Sequence, residues 1–149
     1  MRPMWADSLL LAERAHLLRL AAWGGASVVA GTLVLLVLAG RRVRSPLLTH
    51  FAIQTAAWGT IDLALVFFGW RSLALRDPAA ALRLDRFLWF NTGLDLGYVA
   101  VGVTLAICGW TLGRRLGLVG AGIGVVVQGL ALALLDLWFA AVIARISIA

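Results

Sequence analysis

Three carboxylates stand where a membrane chain would need them for chemistry. Asp62, Asp95 and Asp136 each sit inside a long apolar stretch, and each is followed by leucine. A charged side chain at the centre of a membrane helix costs about 2.5–3.5 kcal/mol or more, so such residues face a bundle interior or a wet cavity and mark function by default. Two roles compete. As titratable groups the aspartates would carry protons or ions; as interhelical glue each would accept hydrogen bonds from tryptophan, threonine, asparagine or Arg19 on a neighbouring helix. A conducting path needs further polar steps to the opposite face. Beyond Gln54 and Gln128 the sequence supplies few of them, so packing is the favoured role.

Other chemistries find less support. Intramembrane aspartyl proteases carry Tyr-Asp and Gly-x-Gly-Asp, whereas these sites read Ile61-Asp62 and Leu94-Asp95. Ser27 follows Gly24-Gly25-Ala26, which is not the Gly-x-Ser-Gly setting of rhomboid-type proteases, and no histidine is expected at its depth. No enzyme activity is therefore expected. His16 and His50 fall near opposite faces, so they cannot share one haem iron within a single copy. His50 alone remains open to haem or pigment ligation, although an interfacial histidine more often donates to a carbonyl or headgroup. No cofactor and no metal site are predicted. The lone Cys108 excludes an internal disulfide.

The elements that must position these residues are membrane helices. Of 149 residues 62% are hydrophobic and 13% charged, with a mean hydropathy of +0.97, far from the quarter-charged composition of soluble domains. Apolar runs over 20–40, 47–70, 88–112 and 116–144 each meet the requirement of about 20 residues per spanning helix. The connections at 41–46 and 113–115 are too short to host a site and force antiparallel neighbours. Residues 7–19 and 77–87 predict short interfacial helices, the second opening on Asp77-Pro78, because proline loses nothing at a first helical position. The expected fold is an all-α, up-down-up-down four-helix membrane bundle, one domain over 1–149.

Depth gathers the aspartates. At about 1.5 Å per residue, Asp62 lies about 12 Å before the end of its run, Asp95 about 10 Å after the start of the next, and Asp136 about 13 Å before Arg145. These helices alternate in direction, so the three share one level, with Asn91 beside them and Arg19 as the arginine able to reach them. Small residues mark the inward faces: Gly102, Ala106 and Gly109 follow Asp95, Gly59 and Gly69 flank Asp62, and Gly129 precedes Asp136 at helical spacing. Trp58 and Trp138 lie deeper than the other tryptophans and are expected to cover the carboxylates. A repeat is also visible. Gln54 precedes Asp62 by the same eight positions as Gln128 precedes Asp136, and Gly-Arg-Arg stands before each of those helices. Two tandem helical hairpins would explain it, making Gln54 and Gln128 a central polar pair.

All 13 basic residues are arginine. Arg41, Arg42, Arg44, Arg114 and Arg115 lie in short turns where lipid phosphates are the nearest anions, and they form no groove-reading stripe, so lipid headgroups and not nucleic acid are the expected contacts. The other eight lie on the side of the termini, which leans the chain towards cytoplasmic termini. The stretch Asn91-Thr92-Gly93-Leu94-Asp95-Leu96-Gly97-Tyr98, with Val127-Gln128-Gly129 and Leu135-Asp136-Leu137, resembles a family of small four-helix bacterial membrane proteins of unknown function. The resemblance spans the second to fourth helices. It implies a bacterial inner-membrane protein of the same fold and brings no activity; the arginine-bearing middle connection has no counterpart in that pattern. The leading expectation is a non-catalytic accessory or scaffold subunit of a larger membrane complex, photosynthetic or respiratory, packed against other membrane subunits. A small proton- or ion-coupled transporter and a lipid- or pigment-binding protein are the rivals.

Overall fold

Proline opens three of the four helices, and a polar cap precedes two of them. The computed structural model describes residues 3–148, with α1 at Pro3–Gly40, α2 at Pro46–Arg71, α3 at Pro78–Thr111 and α4 at Leu116–Ile148. Met1, Arg2 and Ala149, which the expected domain takes in, lie outside the described residues. Ser45 caps α2 through its Oγ, which accepts from the Leu48 amide at 3.3 Å, and Asp77 caps α3, its Oδ1 accepting from the Ala80 amide at 2.6 Å. In both cases proline follows the cap, where its missing N–H costs nothing. All four helices are long and apolar enough to cross a membrane.

Glycine sets how closely the helices pair. Gly31 of α1 lies against the Ala52 carbonyl of α2, where an added Cβ would come within 2.6 Å, and Gly59 of α2 meets Ser27 and Val28 in return. The α3–α4 pair repeats the device with Gly102 against Val126 and Gly109 against Leu118 and Val119. The start of α4 then inserts against α2 as well: Gly117 faces the His50 ring, Gly120 the Leu47 backbone and Gly124 the Gln54 side chain. Half of the most apolar window of α4 is buried, against about a fifth in the other helices, so α4 is the central element. It packs on α1, α2 and α3, whereas the backbones of α2 and α3 do not pack on each other.

The helix ends depart from expectation in two places. Residues 7–19 do not form a separate surface helix; they are the first half of a continuous 38-residue α1, about 57 Å long against a hydrocarbon core of about 30 Å. Residues 78–87 likewise run unbroken into α3. The physical reason is a cluster on the side of the termini, where Leu9 of α1, Ala81 and Leu88 of α3, and Phe139 and Ile143 of α4 bury one another. The apolar face of the leading segment is spent on neighbouring helices rather than on lipid. The two Gly-Arg-Arg turns also differ in backbone. In the first, Arg42 takes the left-handed conformation at φ 52; in the second, Gly113 (φ 83) and Arg114 (φ 54) both do. Equal letters there do not make equal turns.

Candidate functional site

Each helix contributes one buried carboxylate to the half of the bundle nearer the termini: Glu13 from α1, Asp62 from α2, Asp95 from α3 and Asp136 from α4, none more than 8% exposed. Close glycine contacts bring their helices together, since Gly24 of α1 touches the Asp62 Cβ and Gly129 of α4 approaches the Asp95 carbonyl. A buried ion without a partner costs several kcal/mol, so the partners of these four groups decide what the site can do.

Two of the four have cationic or potentially cationic partners. Glu13 accepts from Arg76 on both oxygens, from Nε at 2.9 Å and Nη2 at 2.5 Å. That fork ties the α2–α3 connection to α1, and the hydrogen bond to Glu13 raises the Arg76 pKa further above its ordinary value. Asp136 lies 3.4 Å from Nε2 of His16, whose ring stacks on Phe139 at 4.5 Å. The other two have no basic side chain as a partner. Asp62 accepts a hydrogen bond from the neutral Gln128 amide, whose own oxygen accepts from Trp23 Nε1 at 3.1 Å; the second Asp62 oxygen, Oδ1, is buried without a hydrogen-bond partner. Asp95 has no hydrogen-bond partner among the described residues, and its Oδ2 is buried.

The acids line a cavity of about 750 Å³ in the gap that α2 and α3 leave between them. Its inner wall is Asp62, Asp95 and Asp136 with His16, and its outer walls are apolar, including Leu65 and Phe68 of α2 and Phe87 and Leu94 of α3. Trp58 and Tyr98 also line it, meeting edge to face at 4.9 Å and so bridging α2 and α3 by side chains alone. Arg76 and Arg83 stand at the end nearer the α2–α3 connection. Among the described residues no three histidine, cysteine, aspartate or glutamate side chains converge as metal ligands would.

The remaining residues singled out from the sequence fall in varied places. Asn91 lines the cavity. Arg19 does not reach the aspartates; it is exposed, its guanidinium 5.6 Å above the Trp138 ring, and the basic side chain beside Asp136 is His16 instead. Trp138 is accordingly 63% exposed and lies outside the cavity lining, whereas Trp58 is part of it. Gln54 packs on Gly124, one turn from Gln128, and no hydrogen bond joins the two glutamines, because Gln128 is turned to Asp62 and Trp23. Arg41, Arg42, Arg44, Arg114 and Arg115 are exposed in the two short turns; Arg42 and Arg44 edge an open groove with Leu38 and Thr49, and Arg114 lies 4.8 Å over the Trp110 ring. His50 Nδ1 donates to the Pro46 carbonyl at 2.9 Å.

Glu13, His16 and Arg76 are the site residues that sequence reasoning missed. A signal for the first two was present. The small-residue stripe Gly31, Ser27, Gly24, continued backwards in steps of three or four, passes through Leu20, His16, Glu13 and Leu9, all buried. Arg76 carried no such signal, since it lies between helices and only the folded connection brings it to Glu13.

Comparison with known proteins adds a family and no activity. No curated protein and no solved structure matches the chain. The model of a family of unknown function, DUF6992, matches residues 19–137, a stretch that holds the three aspartates but neither Glu13 nor His16. With most of its length, the whole of α2 and α3 and the greater part of α1 and α4 inside that match, the chain belongs to this family of unknown function.

Proposed function

We propose that this chain is a non-catalytic, multi-pass protein of a bacterial inner membrane, crossing it up-down-up-down with both termini cytoplasmic, and that it works by holding a small molecule between α2 and α3. The carrying observation is the cavity. Its volume of about 750 Å³ falls within the range of about 300–1,000 Å³ typical of ligand sites, and it combines apolar walls with a few convergent polar groups. A bundle evolved only to pack would close α2 on α3 with small residues, as it closes α1 on α2. Here large side chains stand along the gap instead, and one carboxylate from every helix is turned towards it.

The second reading is the accessory subunit. It draws support from Ile61, Leu65 and Phe68 of α2 and Phe87 and Leu94 of α3, all exposed along the opening, which a partner's membrane helix would cover. One experiment separates the two: native mass spectrometry of the protein extracted in mild detergent, beside a variant filled by Ile61→Trp and Leu94→Trp. A small-molecule adduct on the wild type that the filled variant loses supports the ligand site. A stoichiometric protein partner without an adduct replaces it with the accessory subunit, and a bare chain in both samples defeats both.

A further inference from the structure

We infer that the cavity between α2 and α3 takes a hydrophobic organic cation, an amine or onium centre carrying apolar or aromatic substituents, with Asp95 as its principal counter-ion. The inference deepens the reading above and rests on it. Its first support is charge. Of the four buried carboxylates, Glu13 is matched by Arg76 and Asp136 lies beside His16, a counter-charge only when protonated, while Asp62 has only the neutral Gln128 and Asp95 has no hydrogen-bond partner among the described residues. Asp95 is 5% exposed and Asp62 is fully buried, and both line the cavity. The one further arginine there, Arg83, is twelve residues from Asp95 on the same helix, about 18 Å away, too far to neutralise it. The site thus has a standing deficit of positive charge at its inner wall.

The second support is the character of the walls beside that deficit. Trp58 is one helical turn from Asp62 on α2, and Tyr98 is three residues from Asp95 on α3, so each carboxylate shares a helix face with an aromatic ring. The two rings touch each other at 4.9 Å. Carboxylates with aromatic rings beside them are the environment in which a weakly hydrated organic cation is held, because the ring faces attract such a cation most where water is excluded. A bare metal ion is a poorer fit, because the carboxylates do not converge as metal ligands would among the described residues and most of the remaining lining is apolar. A proton would settle the charge of Asp95 but would leave the aromatic volume unused. A neutral amphiphile would fill the volume and leave two carboxylates unmatched.

Size and shape suit the same ligand class. The cavity opens sideways between α2 and α3, whose backbones do not pack on each other, so an apolar cation dissolved in the membrane could enter without crossing the arginines near the α2–α3 connection.

The test is equilibrium binding of radiolabelled tetraphenylphosphonium to the purified full chain in nanodiscs, corrected with empty nanodiscs, beside neutral triphenylphosphine oxide. Saturable one-to-one binding of the phosphonium is expected, weakened at least tenfold in Asp95→Asn and several-fold in Tyr98→Leu, with the oxide bound weakly and equally by wild type and Asp95→Asn. Phosphonium and oxide bound alike, or phosphonium binding indifferent to Asp95→Asn, would overturn the assignment of charge recognition while leaving the ligand cavity standing. No saturable phosphonium binding by the wild type would also overturn it, and the adduct measured by mass spectrometry then decides the cavity on its own. Should Asp95→Asn fail to fold, Tyr98→Leu and Trp58→Leu carry the comparison, and unchanged phosphonium binding in both counts against the inference.

Discussion

A single amide, that of Gln128, stands between Asp62 and an unpaired burial. The Gln128 Nε2 donates to one Asp62 oxygen, and its Oε1 accepts from Trp23 Nε1, so three helices meet through one side chain of the central helix. Removing one member of a buried polar pair strands the other, whereas replacing both with apolar groups of similar size can be nearly neutral. Gln128→Leu should therefore lower stability by about 2–4 kcal/mol. Gln128→Leu combined with Asp62→Leu should recover most of that, keeping a deficit of about 1 kcal/mol for the Trp23 N–H left without its acceptor. Thermal unfolding of the purified variants in one detergent checks both. If the double variant is as damaged as the single, the cost lies in packing around Gln128 and not in the stranded carboxylate. His16 follows a different logic, because its partner is another titratable group and its ring is held by Phe139. At this scale the sequence exposed the acids and hid their partners. An aspartate in an apolar run is conspicuous in one dimension, but Gln128 meeting Asp62, or Arg76 meeting Glu13, joins residues 66 and 63 positions apart, and no local pattern encodes such a pairing.

Among the elements, α4 is the one whose surface is most constrained, and its glycines say where. Gly120 faces the Leu47 backbone of α2 so closely that an added Cβ would collide with the Leu47 carbonyl, and backbone cannot swing aside as a flexible side chain can. Gly97 of α3 has open space around it. The two positions make a matched pair. Gly120→Ala should destabilise by about 1–3 kcal/mol through overpacking, outweighing the gain in helix propensity. Gly97→Ala should be neutral or stabilise by up to about 1 kcal/mol, because only the propensity term acts. Melting temperatures of the two variants in the same detergent would show it, and equal shifts would mean that α4 does not seat on α2 as described. These helices and their contact faces were largely legible in the sequence. The apolar runs gave the elements, and the small residues at helical spacing from Asp62, Asp95 and Asp136 do form the close contacts. Helix ends were less legible. The polar residues of 7–19 suggested a helix lying on the membrane, but Leu9 and its neighbours found a third and a fourth helix to pack on, a tertiary outcome that overrode the local pattern. The matching Gly-Arg-Arg letters also misled, because two or three residues do not specify a turn whose geometry is set by the helices it joins.

At the scale of the whole molecule, the chain is two helical hairpins held together by one helix. The α1–α2 pair and the α3–α4 pair each close tightly on glycine, and the hairpins join because α4 packs on α2 and on α1. Since α2 and α3 do not pack backbone to backbone, the covalent connection between them at 72–77 carries little of the joining energy, and most of its residues are exposed. Within it Arg76 adds the fork to Glu13, and Leu9 reaches across to Ala81, Leu88 and Phe139, so the side of the termini has its own contacts between hairpins. A chain divided between Leu73 and Ala74 should therefore reassemble. Co-expressed fragments 1–73 and 74–149, with an affinity tag on one alone, should co-purify in mild detergent at one-to-one stoichiometry. Adding Gly120→Ala to the second fragment should weaken recovery of the pair, because that contact lies between the hairpins. Gly102→Ala, which acts within the second hairpin, should lower the stability of that fragment before it affects pairing. Arg76→Gln offers the opposite control: it removes the fork from the second fragment, where Arg76 now resides, and leaves the α4 contacts untouched, so recovery should fall less than with Gly120→Ala. Fragments that fail to meet at all would show that the middle connection, and not the central helix, joins the two helix pairs.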